Sequence, residues 1–125
     1  MEFAVPLNKK TTMVLDTSRT IEHIETVERR AELIANNDIV VVKYSAEWCG
    51  PCKKIAPEYL SMCQTDIDGV VYCEEDVDDE LGPYACEIKS IPSFHIFNKG
   101  EFVSSCKGSD MTVLAQLIVD TKNIK

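Results

Sequence analysis

The stretch Ala46-Glu47-Trp48-Cys49-Gly50-Pro51-Cys52-Lys53 follows an apolar run, Ile39-Val40-Val41-Val42, and leads into Lys54-Ile55-Ala56. The run reads as a buried strand and the continuation as a helix, so the two cysteines fall at a strand-to-helix junction. A disulfide needs its α-carbons within about 7 Å, and residues three apart in the first helical turn are neighbours. Cys49 and Cys52 can therefore close a small ring and reopen it, which suits electron exchange better than stapling. Pro51 suits the first helical position, where its missing N–H costs nothing. Gly50 lets the backbone turn tightly and gives a partner chain room to approach. At the helix N-terminus, unpaired N–H groups and the macrodipole stabilise a Cys49 thiolate. The thiolate is the attacking species, so Cys49 is the expected nucleophile. Cys52, one turn inside and less exposed, is the expected resolving thiol. Lys53 is either a surface helix charge or a modest aid to Cys49 ionisation.

With 125 residues and an ordinary apolar share, the chain suits one domain with one core. Its formal net charge of −8 argues against a nucleic-acid surface. It fits solubility or partners with basic patches. Six cysteines are present, Cys49, Cys52, Cys63, Cys73, Cys86 and Cys106, in a chain too rich in core residues to need a stapled framework. Met1-Glu2-Phe3-Ala4-Val5-Pro6-Leu7 does not resemble a signal peptide, and nothing approaches the length of a membrane span. A reducing compartment, the cytoplasm, is the expected location. Zinc needs four ligands, and only Cys49 and Cys52 have the spacing, so no metal site is expected.

Residues 1–18 show no sustained period and read as an extension to a domain spanning 19–125, with room for a short strand at Met13-Val14-Leu15. Thr20 to Glu25 alternates weakly and would serve as an outer strand. Thr26 can cap a helix from Val27 to Asn36, with Val27, Ala31, Ile34 and Ala35 on one face. Ile39 to Ser45 is the most strand-like stretch, apolar on both faces up to Lys43. The helix from Pro51 would send Ile55, Tyr59, Leu60 and Met62 inward, with Pro57 removing one internal hydrogen bond. Val70 to Glu75 reads as a second central strand and Glu80 to Cys86 as a short helix. Ser93 to Asn98 and Glu101 to Lys107 read as a hairpin. Asp110 caps a last helix, Met111 to Asn123, with Val113, Leu114, Leu117 and Ile118 inward. Strands alternating with helices, then a hairpin, predict an α/β mixed sheet with helices on both faces.

Trp48-Cys49-Gly50-Pro51-Cys52-Lys53 resembles the active-site hexapeptide of the thioredoxin family. Asp76-Val77-Asp78, Ile91-Pro92-Ser93-Phe94 and Lys99-Gly100 also match in the family's order, so the resemblance covers residues 20–124. It implies the thioredoxin fold and a cis Ile91–Pro92 bond facing the cysteines, where an arbitrary X–Pro bond would be trans. Ile91 would then offer its backbone to an extended substrate segment. Gly108 either leaves space for that segment or is a simple turn glycine. Trp48 either flanks the thiols or is a partly buried core aromatic. Gly-Pro between the cysteines is the dipeptide of the reducing members, whereas isomerases of this fold usually carry Gly-His. The resemblance thus implies a monomeric thiol–disulfide oxidoreductase that reduces disulfide-containing protein substrates and holds no cofactor. Its electrons would come from NADPH through a thioredoxin reductase-like flavoprotein. The alternatives are a redox-gated binding module and a disulfide isomerase.

In one respect the chain departs from the family. A buried aspartate usually stands six residues before the first active-site cysteine, and here that position is Lys43. On the neighbouring strand, Glu74 occupies a position that can hold lysine. Two readings follow. Lys43 and Glu74 form a charge-swapped pair beneath Cys52, with Glu74 or a water relaying its proton, or Lys43 snorkels out and pairs at the surface. Of the other cysteines, most behave as small core hydrophobes, while Cys86 is the candidate regulatory or dimer-forming thiol. His23 and His95 are expected to be structural.

Overall fold

The computed structural model describes residues 15–81 and 88–124. Among these residues five strands form one sheet: β1 Glu22–His23, β2 Ile39–Ser45, β3 Val71–Asp76, β4 Ser93–Asn98 and β5 Glu101–Lys107. Their order is β1-β3-β2-β4-β5, with β1, β3 and β2 parallel and β4 and β5 antiparallel. The helices are α1 Val27–Asn36, α2 Gly50–Thr65 and α3 Met111–Lys122, and a 3-10 turn covers Val77–Asp79.

The alternation of β2 distributes the core. Val41 faces α2 and α3, packing with Ile55, Tyr59, Leu114 and Ile118. Val40, Val42 and Tyr44 face the other side with Leu33 of α1. Each such buried apolar side chain contributes about 1.5–3 kcal/mol. The expected mixed sheet covered on both faces is therefore what forms. Lys99 (φ 53°) and Gly100 (φ 88°) both take positive φ, the geometry of a tight two-residue hairpin turn.

Several local expectations need correction. In α1, capped as expected by Thr26 Oγ1 accepting from the Arg29 N–H at 3.0 Å, the buried residues are Arg30 and Leu33. Val27, Ala31, Ile34 and Ala35 do share one face, beside Phe97, but Ile34 is only half-buried and the other three are exposed. The helix is rotated because Arg30 has an interior partner: its Nη1 lies 2.8 Å from both carboxylate oxygens of Glu75 and 2.9 Å from the Leu81 carbonyl. In α2 the inward set is Cys52, Ile55, Tyr59 and Cys63, with Leu60 exposed and Met62 half-buried. In α3 it is Met111, Leu114, Ile118 and Thr121. Val113 is exposed and Leu117 half-buried. Thr121 tolerates burial because its hydroxyl donates to the Leu117 carbonyl at 2.7 Å.

The outer strand pairs over Glu22 and His23 only, although the Ile24 N–H still donates to the Glu74 carbonyl at 2.8 Å. The second central strand begins and ends one residue later than expected. Glu80 leaves the 3-10 turn in a left-handed conformation, so no helix starts there. The rest of the expected short helix, Cys86 included, lies outside the described residues, as do Met13 and Val14; Leu15 is in no strand.

The Arg30–Glu75 pair is buried on both sides, so removing one partner strands a charge. Arg30→Met is expected to destabilise by about 3–5 kcal/mol in urea denaturation, and Arg30→Met with Glu75→Leu to recover most of the loss. Burial already holds the Glu75 carboxyl above its ordinary 4.5, with Arg30 opposing the rise. A carboxyl raised in the folded state favours folding below its unfolded pKa and loses that contribution as pH rises. The Arg30→Met deficit should therefore be largest near neutral pH and narrow on acidification.

Candidate active site

β2 ends at Ser45, and the chain turns at once into α2. The Cys49 N–H donates to the Ala46 carbonyl at 3.1 Å, which closes the turn. Cys49 is the N-cap of α2, and its Sγ accepts the Cys52 N–H at 3.2 Å. The two sulfurs are joined in a disulfide with α-carbons 5.3 Å apart. The helix starts one residue earlier than expected, at Gly50, so Pro51 takes its second position. In this oxidised state both cysteines are closed off, Cys49 at 4 % and Cys52 at 2 % exposure. The expected difference in exposure is slight.

Gly50 needs no positive φ, so the tight-turn argument for it fails. A Cβ there would meet nothing, so the surface beside the ring is open. Lys53 is exposed, with its N–H on the Cys49 carbonyl at 3.2 Å. Trp48 is not a core aromatic: it is 68 % exposed, and its Nε1 donates to Asp78 at 2.9 Å. Asp78 is held in turn by its own N–H on the Asp76 carboxylate at 2.8 Å. Sequence reasoning quoted Asp76-Val77-Asp78 as a matching stretch but missed this anchor, because nothing local pairs residues thirty apart.

The Ile91–Pro92 bond is cis. Ile91 and Val77 pack against Ala46, Cys49 and Cys52, so the loop before β4 touches the cysteine pair. The Gly108 N–H donates to the Pro92 carbonyl at 2.8 Å, and Gly108 has a φ of 96°, where an L side chain is strained. Gly108 is a turn glycine with open space beside it.

Lys43 does not snorkel. It is 3 % exposed, its Nζ sits 3.9 Å from Glu74 Oε1, and it lies 5.6 Å from the centre of the Tyr59 ring. Burial lowers its ammonium pKa below the ordinary value, with Glu74 opposing. Lys43, Glu74 and Cys52 line one cavity of about 500 Å³. His23 lines the same cavity and lies 3.5 Å from Glu74. His95 packs edge-on against Tyr44 and Phe102. The Tyr59 hydroxyl, 2.9 Å from the Cys73 carbonyl and 3.2 Å from that of Val41, ties α2 to the sheet behind the site. Burial pushes the Cys63, Cys73 and Cys106 thiols up, which disfavours their thiolate forms. Among the described residues no cluster of His, Cys, Asp and Glu could hold a metal ion.

The family model "Thioredoxin" matches residues 21–120. This chain belongs to the thioredoxin family. It is 38% identical over 103 residues to thioredoxin of Rattus norvegicus, covering 80% of this chain and 97% of that protein. To thioredoxin of Ictalurus punctatus it is 34% identical over 106 residues, covering 82% and 99%. A solved Plasmodium falciparum thioredoxin superposes with a TM-score of 0.72 at 32% identity, covering 80% of this chain and 98% of that one. Spinach chloroplast thioredoxin F, at a TM-score of 0.76 and 21% identity, covers 90% and 100% and supports the fold. The family and the cysteine pair three residues apart make the protein a protein-disulfide oxidoreductase.

Because burial disfavours the Lys43 ammonium, Lys43→Met is expected to raise the melting temperature near neutral pH. The folded pKa lies below the unfolded one, near 10.5, so the unfolded chain binds more protons between the two values. Wild-type stability then rises with pH through that interval. The advantage of the methionine variant should fade as pH approaches about 10.5, a trend that paired thermal melts would read.

Proposed function

We propose that this protein reduces protein disulfides, with Cys49 as nucleophile and Cys52 as resolving thiol. The Cys49 thiolate attacks a substrate disulfide, forming a mixed disulfide, and one substrate sulfur leaves with its electron pair and takes up a proton. Cys52 then loses its proton and attacks Cys49 Sγ; the second substrate sulfur departs as a thiol, and the Cys49–Cys52 disulfide carries the two-electron oxidation. The observation that carries this assignment is the N-cap position of Cys49, whose sulfur already accepts a helix N-terminal N–H. A negative charge on that sulfur meets the positive end of α2. Pro51 pre-sets the first turn, and the Lys53 ammonium adds favourable charge close by.

Substrate binds across the face formed by Trp48, Ile91, Pro92 and the Gly108 turn, with its backbone extended along Ile91. The contact of Ile91 with the cysteine pair supports this placement. The domain works without a bound cofactor, as a monomer in the cytoplasm, and is recycled by a thioredoxin reductase-like flavoprotein that draws on NADPH. Cys86 serves as a regulatory thiol.

In an insulin-reduction assay with dithiothreitol, Cys49→Ser is expected to fall to the uncatalysed rate, and Cys52→Ser to accumulate a mixed disulfide visible by mass spectrometry. A Cys49→Ser protein as active as the wild type would instead identify a binding module. Rescue of scrambled disulfides faster than insulin reduction would identify an isomerase.

A further inference from the structure

The cavity that Cys52 lines also holds charged side chains from the sheet that thiol exchange alone does not use. We propose that Lys43, Glu74 and His23 act as positioning residues in a charge relay that ionises Cys52. In it the Lys43 ammonium meets the Cys52 thiolate, and His23, through Glu74, sets how much of that positive charge Lys43 presents. The proposal rests on Cys52 being the resolving thiol.

Strand register brings the three together. His23 of β1 is the neighbour of Glu74 in β3, and Glu74 is the neighbour of Lys43 in β2, so they stand in one row across the sheet. Neighbours in one row point to the same face. Glu74 uses both carboxylate oxygens: Oε1 is 3.9 Å from Lys43 Nζ, and Oε2 is 3.5 Å from His23 Nδ1. Side-chain exposure falls along the row from 44% at His23 through 33% at Glu74 to 4% at Lys43, so the row leads from solvent to the interior. Its inner end shares the 500 Å³ cavity with Cys52.

The other charged groups facing that cavity are Glu47 from the loop after β2, Lys53 from α2, Asp76 from β3 and Asp79 at the end of the 3-10 turn. Asp79 lies 3.9 Å from His23 Nε2, on the far side of the ring from Glu74. Among the described residues, Glu74 is the carboxylate within ion-pair distance of Lys43. An opposite charge close by lowers a thiol pKa by about 1–3 units. Lys43 exerts that pull on Cys52, Glu74 weakens it, and a protonated His23 neutralises Glu74 and restores it.

The relay serves both directions of exchange. When an incoming thiolate bonds to Cys49 Sγ, the Cys49–Cys52 bond breaks and its electron pair leaves on Cys52 Sγ, where Lys43 stabilises it. When Cys52 attacks the mixed disulfide, its proton passes through the cavity to Glu74 or solvent. Its sulfur then bonds to Cys49 Sγ, and the substrate sulfur leaves with the electron pair and is protonated.

The test follows thiolate ultraviolet absorbance against pH in a Cys49→Ser background, taken by difference from Cys49→Ser with Cys52→Ser. Lys43→Met is expected to raise the Cys52 midpoint by about one unit or more, and Glu74→Gln to lower it. In the same background, Lys43→Met should raise the His23 midpoint read by NMR, because Glu74 then answers to His23 alone, and Glu74→Gln should lower it. A Cys52 midpoint unmoved by Lys43→Met overturns the relay; should that variant fail to fold, a midpoint unmoved by Glu74→Gln does so. A His23 midpoint unmoved by both substitutions overturns the part assigned to His23. Failure of the thiol assignment itself would appear separately, as insulin reduction surviving in Cys49→Ser.

Discussion

One hydrogen bond organises the functional end of this molecule: the Cys52 N–H donated to Cys49 Sγ. A helix leaves its first N–H groups without internal partners, and a capping side chain normally supplies an oxygen to them. Here a sulfur takes that place, so what caps the helix is also what reacts. Everything around it holds the junction still. β2 brings the chain to the turn, Ala46 closes it, and the Tyr59 hydroxyl anchors the middle of α2 to the backbones of β2 and β3. Ile91 and Val77 close the sides.

The same sheet carries charge into both of its covered faces, for different ends. On the α1 face, Arg30 and Glu75 meet with both carboxylate oxygens engaged and solvent excluded. That pair is a matched, hydrogen-bonded unit and fixes how α1 is rotated on the sheet. On the α2 face, Lys43 faces Glu74 at a longer distance and beside a cavity. A buried ammonium only partly compensated is costly, and it shares that cavity with Cys52. The first arrangement suits architecture and the second suits chemistry.

Much was legible in the amino-acid order. The strand-to-helix junction, the cysteine pair, the caps at Thr26 and Asp110 and the hairpin turn depend on neighbours a few residues apart. Local periodicity placed the three helices of the described residues to within a residue or two. It erred on which faces they bury: α1 turned about Arg30, and α3 buried Thr121 in preference to Val113. Hydrophobic patterning ranks a lone arginine as outward, and its partner Glu75 stands 45 residues away. Trp48 was ambiguous for the same reason, its anchor Asp78 being 30 residues distant.

What the order of residues determined by itself was the chemistry: which two sulfurs can pair, which of them opens the helix, and that a lysine stands where the family usually has an acid. These are matters of spacing along the chain and residue type. What only the tertiary structure decided was the electrostatic company those sulfurs keep. Strand register set His23, Glu74 and Lys43 in one row and closed Lys43 off from water. Register is a property of paired strands, each contributing one member of the row, and no single stretch of sequence contains it.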